Sequence, residues 1–184
     1  GDGCWQGTDV CVTWCIGHLL ETAPPDSYDE RYKRWNLADL PIIPDKWKML
    51  VKPKTASQFK AVKRLLGEAR ELVIATDADR EGEMIARELV EHCRYRGPVQ
   101  RLWLSALDDA SIRKALARLL PGHETFNLYH SALGRSRADW LIGMNMSRLF
   151  TLLGRQSGYQ GVLPVGRVQT PTLRLVVDRC LLYT

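Results

Sequence analysis

Read for the spacing of its apolar and polar residues, the chain switches repeatedly between period-two and helical stretches. Val10, Val12, Trp14 and Ile16 share one side of an extended segment, which predicts a β-strand from Val10 to Ile16, ended by Gly17-His18. Residues 22 to 54 then carry Pro24, Pro25, Pro41, Pro44 and Pro53 among Tyr28, Tyr32, Trp35 and Trp47. Those interruptions exclude a long helix or a central strand and predict a covering excursion. Its rings either anchor it to the core, their commoner use, or stack on bases beside Arg31, Lys33, Arg34, Lys46 and Lys48.

Thr55 or Ser57 is positioned to cap a helix on which Phe59, Val62 and Leu66 recur at helical spacing. The next apolar run, from Leu72 to Ala75, reads as a buried parallel-type strand. It stops in Thr76-Asp77-Ala78-Asp79-Arg80-Glu81-Gly82-Glu83, and a helix is expected over 83 to 94. Tyr95-Arg96-Gly97-Pro98 turns the chain into a strand from Val99 to Leu104, and Asp108 or Asp109 caps a helix with the stripe Ile112, Ala115, Leu116, Leu119 and Leu120. Strands and helices in this order imply parallel pairing by right-handed crossovers.

Beyond Pro121-Gly122 the pattern is helical, which makes that dipeptide the expected domain boundary. Arg135 and Asp139 are four apart on one helical face, where each can fix the other. Arg135, Arg137, Arg148 and Arg155 repeat cations along this region, a pattern suited to phosphate although spread over more than one face. A glycine-rich approach follows, Gly158 to Gly166, after which Thr170 and Pro171 fit the N-cap and first position of a further helix.

The acids after Ala75 carry the strongest chemical signal. Helix capping explains one or two of them. Asp77 and Asp79 alternate along extended backbone and so project alike, at the carboxyl end of a strand, where open α/β sheets place their ligands. Carboxylates gathered there repel one another and call for a cation. Hard oxygen donors on a rigid turn suit Mg²⁺, often shared with a phosphate.

Composition narrows the class without deciding it. The 184 residues are 45% apolar and 26% charged, enough for one sizeable core and not a disordered composition. Lys plus Arg exceed Asp plus Glu by 26 to 21, which permits a polyanionic partner. No apolar segment nears membrane-spanning length and no signal-peptide pattern is seen, so a cytoplasmic protein without membrane contact is expected. Cys4, Cys11, Cys15, Cys93 and Cys180 form no C-x-x-C pair, which points to buried reduced thiols and no disulfide-linked partner.

The acidic stretch resembles the second acidic motif of the Toprim fold, and Asp-x-Asp-Arg-Glu-Gly-Glu is similar to its form in the type IA topoisomerases. Val-Thr-Trp-Cys-Ile-Gly-His-Leu-Leu-Glu and Arg-Ala-Asp-Trp-Leu-Ile-Gly-Met-Asn are similar to segments of the topoisomerase III group, and Val-Gly-Arg-Val-Gln-Thr-Pro-Thr-Leu matches the family's DNA-contacting motif. The resemblance covers nearly the whole chain. It implies an α/β fold: a Toprim-type parallel sheet with flanking helices over 1–122, the excursion at 22–54 included, then the beginning of an all-α DNA-binding domain over 123–184. By position it implies that Asp77, Asp79 and Glu81 bind Mg²⁺ and that Glu81, Arg135 and Asp139 serve strand cleavage. Pro164, Val165, Gly166, Arg167, Val168 and Gln169 would contact DNA, single-stranded by preference, and His18 and Arg80 are candidates to line the site.

The family's first catalytic Glu with its Lys-Pro-Ser, and the pattern around its nucleophilic Tyr, occur nowhere in these residues. Tyr183 lacks that setting. The chain is therefore expected to be part of a longer enzyme and inactive alone. A non-catalytic nucleic-acid-binding remnant and a Toprim primase-like enzyme are the alternatives.

Overall fold

The computed structural model describes residues 3–182; Tyr183 and its neighbour lie outside them. The chain divides into two compact units, Gly1–Glu21 with Met49–Gly134, and Thr22–Lys48 with Arg135–Thr184.

In the first unit, strands β1 (Cys4–Gln6) and β2 (Cys11–Thr13) form an antiparallel hairpin, and β3 (Leu20–Thr22) pairs with β4 (Met49–Val51). Helix α1 (Ala56–Glu68) leads to β5 (Leu72–Ile74), α2 (Arg80–His92), β6 (Val99–Arg101), α3 (Asp109–Leu116) and β7 (Leu120–Pro121). The sheet order is β5-β6-β7. β5 and β6 are parallel, as the crossover through α2 requires, while β7 runs antiparallel to β6. The Toprim-like α/β sheet is thus mixed rather than wholly parallel, because α3 ends at Leu116 and the chain turns straight back into β7 instead of crossing over.

The core matches the helical spacing. Phe59, Val62 and Leu66 of α1 are buried with Leu19, Leu20 and Leu89, and Leu72, Met49, Val51 and Tyr95 pack around them. Met84, Tyr129 and Ala132 form a second cluster. Asp108 caps α3 by accepting from the Ser111 amide at 3.0 Å, as expected.

Other expectations need correction. The strand placed over Val10 to Ile16 is only three residues long, and its apolar positions Val10, Val12, Trp14 and Ile16 are all exposed, because the hairpin pairs with itself and nothing described covers that face. β5 is not a fully buried strand: among the described residues β6 is its one neighbour in the sheet, which puts it at an edge, and Val73 is exposed. β6 stops at Arg101 rather than Leu104, and Leu119 and Leu120 lie beyond the end of α3. The five cysteines are free thiols, yet none is fully buried, and Cys11 on β2 and Cys180 on α5 are exposed.

The second unit joins the excursion to helices. Residues 25 to 39 form three short 3₁₀ turns, Pro25–Ser27, Glu30–Lys33 and Leu37–Asp39, the last two capped by Asp29 and Asn36. Helix α4 (Phe126–Gln156) is 31 residues long, and the division between the units falls within it. α5 (Gln169–Leu181) begins before the expected cap, its N-cap being Val168; the Thr170 hydroxyl instead accepts from the Gly166 amide at 3.1 Å.

The excursion is anchored by its rings. Trp140 of α4 meets Tyr28 and Trp47 edge-on at 6.0 and 5.4 Å between centroids. The Arg137 guanidinium lies 5.3 Å from the Trp47 ring, and those of Arg148 and Arg155 lie 5.2 and 6.0 Å from the Trp35 ring. Asn145 completes the attachment as a backbone mimic, accepting from the Ile42 amide at 2.6 Å and donating to its carbonyl at 2.9 Å. Ile42 itself is buried. Asn145→Ala strands both groups, so we expect a loss of about 1–3 kcal/mol in urea unfolding, with faster hydrogen exchange confined to residues 25 to 48. Unchanged exchange there would show that the rings alone hold the segment.

Candidate functional site

Asp77, Asp79 and Glu81 emerge where β5 gives way to α2. Asp79 is the N-cap of that helix, its Oδ1 accepting from the Gly82 amide at 2.7 Å, which starts α2 at Arg80 rather than at residue 83. Gly82 is required by space. A Cβ there would lie 2.8 Å from the Asp77 nitrogen and nearer still to its carbonyl oxygen. The Thr76 hydroxyl closes the turn by donating to the Gly82 carbonyl at 2.7 Å.

Beneath this turn lies a charged group that spacing did not single out. Arg101, at the end of β6, and Glu83, in the first turn of α2, are both 0% exposed. Arg101 Nε donates to Glu83 Oε1 at 2.5 Å. Its Nη1 donates to the carbonyls of Thr76 (2.7 Å), Leu102 (2.8 Å) and Ile74 (3.2 Å), and its Nη2 to that of Asp77 (2.5 Å). Arg87 Nε takes the other Glu83 oxygen at 3.0 Å, and its Nη2 donates to the Gly122 carbonyl. One guanidinium thus holds the three carbonyls of the chain leaving β5, and a buried carboxylate balances its charge. The available sequence signal was a cation on an inward position of a predicted strand.

His18 belongs to the same region. Its Nδ1 lies 2.8 Å from Glu88 Oε1 and its Nε2 lies 3.6 Å from Glu81 Oε2. The shorter contact is a hydrogen bond whose donor and acceptor are set by the imidazole tautomer. Glu88 is buried, and its Oε2 has no hydrogen-bond partner. Glu88 also went unnoticed, although it lies two turns from Glu81 on the same face of α2. Burial, with Glu88 adding to it, pushes the nearby Cys15 thiol up to about 11, so that sulfur stays protonated.

Asp77 and Asp79 are exposed, Glu81 is half-buried, and Arg80 is exposed at the first position of α2. This oxygen-only donor set fits a hard divalent cation. Among the described residues, no three His, Cys, Asp or Glu side chains converge to form a metal cage. A cation here would be held by one or two carboxylates and would complete its shell with water or phosphate.

In the second unit, Arg167 forks onto Asp139, Nε to Oδ1 at 2.9 Å and Nη2 to Oδ2 at 3.2 Å. Helical spacing pointed to Arg135 as the partner of Asp139. The tertiary fold adds a second cation from 28 residues away. The Arg167 hydrogen bonds, with the charges of Arg167 and Arg135, hold the Asp139 carboxyl below the ordinary range. The loop before Arg167 is pinned to α4: Ser147 Oγ accepts from the Val165 amide at 2.8 Å and Thr151 Oγ1 from the Leu163 amide at 2.9 Å. Pro164 to Gln169 therefore form one backbone shelf beside Asp139.

Known proteins give this arrangement its class. The Toprim domain family matches residues 4–107, and the DNA topoisomerase family matches residues 123–183. The chain belongs to the Toprim family, in the branch of the type IA DNA topoisomerases. Within that branch it is topoisomerase III-like. It is 53% identical to DNA topoisomerase 3 of Vibrio cholerae over 172 residues, covering 91% of this chain and 27% of that protein. For DNA topoisomerase 3 of Salmonella typhimurium the values are 49% over 184 residues, 97% and 28%, and for that of Bacillus cereus 44% over 181 residues, 97% and 24%. The chain spans about a quarter of the length of these relatives. No helix among the described residues is long and apolar enough to cross a membrane.

Two outcomes test this geometry. Arg101→Met leaves Glu83 buried without its main partner and should cost about 3–5 kcal/mol in urea unfolding, with part of the loss recovered in Arg101→Met/Glu83→Gln. In Arg167→Ala, the NMR titration midpoint of Asp139 should move up toward the ordinary carboxylate value while Arg135 keeps it somewhat low. The sign follows from linkage. A lowered carboxyl stabilises the fold above its unfolded pKa, and that contribution disappears as pH falls through the folded value, so the variant should lose less stability on acidification.

Proposed function

We propose that this chain supplies the acidic and DNA-contacting parts of a topoisomerase III-like enzyme. That enzyme cleaves one DNA strand through a phosphotyrosine link, passes another strand and reseals the break. The observation that carries this reading is the identity of 44–53% to proteins named DNA topoisomerase 3 across 172 to 184 residues. The Toprim-like part is taken as 1–122 and the DNA-binding helical part as 123–184.

Asp77, Asp79 and Glu81 would hold Mg²⁺, which when bound would neutralise phosphate charge. Arg101 keeps the backbone of Thr76 and Asp77 from moving as the acids change partners, and the cap bond fixes Asp79. Glu81 stands at the reacting phosphate with His18 beside it, held by Glu88, and Arg80 flanks the turn. In the second unit, Asp139 uses two of the five donors of Arg167, orienting the fork while the remaining donors meet phosphate. Arg135 adds charge beside Asp139, and Pro164, Val165, Gly166, Val168 and Gln169 bring backbone and amide groups to sugar and base. The partner is single-stranded DNA and the location the cytoplasm. Alone, the chain binds DNA without cleaving it. A primase-like reading is disfavoured by the topoisomerase match over 123–183.

Mn²⁺ titration followed by water-proton relaxation should show weak binding to the wild-type chain that is lost in Asp79→Ala. Equal binding by both would remove the acids as ligands. Anisotropy with a labelled single strand across a salt series should show Arg167→Ala weakening binding and making the log–log slope shallower by about 0.7, one phosphate contact. An unchanged slope and affinity would remove Arg167 from the interface.

A further inference from the structure

The second unit holds a cavity of about 410 Å³ lined by Trp35, Asn36, Leu37, Leu152, Arg155 and Gln156, away from the acids and from the Pro164–Gln169 shelf in the sequence. It is open to solvent along much of its extent, so a group bound there would lie against one wall rather than be enclosed. Trp35, Leu37 and Leu152 are the apolar part of the lining, and Asn36, Gln156 and Arg155 are the polar part.

Arg155 is the charged residue of the lining, while Arg148 lies outside the lining, against the Trp35 ring and near enough to Asp26 and Asp39 to feel their charge. Arg148 is 5% exposed, lies 5.2 Å from the Trp35 ring, and its Nε has no hydrogen-bond partner. Arg155 lies two turns further along α4 on the same face, 6.0 Å from the same ring, and is exposed. The buried cation stays close to the indole, while the exposed one can leave the ring for a phosphate at little cost. Anchoring of the excursion therefore uses Trp35 without closing the cavity beside it. The Asn36 Oδ1 is engaged in capping the Ala38 amide, which leaves the Gln156 amide as the adaptable polar group.

We propose that this cavity is a nucleotide subsite for an unpaired base of a DNA strand, with the base against Trp35, its edge at the Gln156 amide and its 5′ or 3′ phosphate at Arg155. A planar apolar face, a donor–acceptor amide and an exposed guanidinium are the groups that a single-stranded nucleotide satisfies together. The proposal rests on the DNA-binding reading above and adds a second, base-contacting place of attachment to it.

Two anisotropy series separate the two claims, using the full chain, an oligothymidylate and an abasic deoxyribose-phosphate oligomer of equal length. The wild type should prefer the oligomer with bases by about 5- to 150-fold, the range of one stacked base. Trp35→Leu should lose that preference with its salt slope unchanged, whereas Arg155→Ala should make the slope shallower by about 0.7. Should Trp35→Leu fail to fold by circular dichroism, Gln156→Ala and Arg155→Ala serve instead, and full wild-type affinity in both overturns the subsite. An undiminished preference for bases in folded Trp35→Leu overturns it too. Competition by free thymidine monophosphate at concentrations equal to the oligomer would assign the cavity to free nucleotides and refute a strand subsite. No DNA binding by the wild type at any salt concentration would remove the DNA-binding reading itself, whereas Arg167-dependent binding without a base preference would remove only the subsite.

Discussion

The geometry of the acidic turn depends on a buried guanidinium. Arg101, at the end of β6, donates to the carbonyls of Ile74, Thr76 and Asp77, of which that of Ile74 also accepts from the Leu102 amide. Placing such a cation in the interior is tolerated only because Glu83 shares its burial and because nearly every donor is used. The consequence is a rigid floor under Asp77 and Asp79. Exposed carboxylates on a mobile loop would scatter; here their backbone is tied down while their side chains stay in solvent.

A second economy runs through the helical unit. The same arginines that make this part of the chain basic also brace the excursion through Trp35 and Trp47, so cation–π packing and the local positive charge draw on one set of side chains. Asp139 applies the same logic to Arg167. Pairing with a carboxylate lowers the rotamer freedom of a long cation and aims it, yet leaves donors outside the fork. Arg137, Arg155 and Arg167 stay exposed in these pairings, whereas Arg148 is buried.

The two units also differ in how they are held. In the first, apolar side chains from α1 and the β3–β4 region bury one another, and the group of Arg101, Glu83 and Arg87 is buried as well, beneath the acidic turn. In the second, attachment is by aromatic edges, by arginines on indole rings and by one asparagine that imitates a backbone partner. Directional contacts of this kind fix the path of a proline-rich segment that has no regular hydrogen-bond ladder of its own.

What the sequence determined by itself was set by forces acting within a turn or two of the chain. The stripe Phe59, Val62 and Leu66 had to face one way, Asp79 and Asp108 had to find amides three residues on, and the motif around Asp77 to Glu83 identified its family from residue order alone. Tertiary structure decided the rest because the deciding partners lie far apart along the chain. Arg101 meets the Asp77 carbonyl across 24 residues, Arg167 reaches Asp139 across 28, and Asn145 finds Ile42 across 103. Hydrophobic alternation foresaw a strand over Val10 to Ile16 but not which face would be covered, since a pattern marks surface that can be buried and only packing determines whether it is. Helical spacing gave Asp139 the neighbour Arg135, and the folding of the glycine-rich loop onto α4 brought it Arg167. Charge pairs are settled by whichever groups the closed chain brings within hydrogen-bond distance, and that distance is not written in the spacing of either partner.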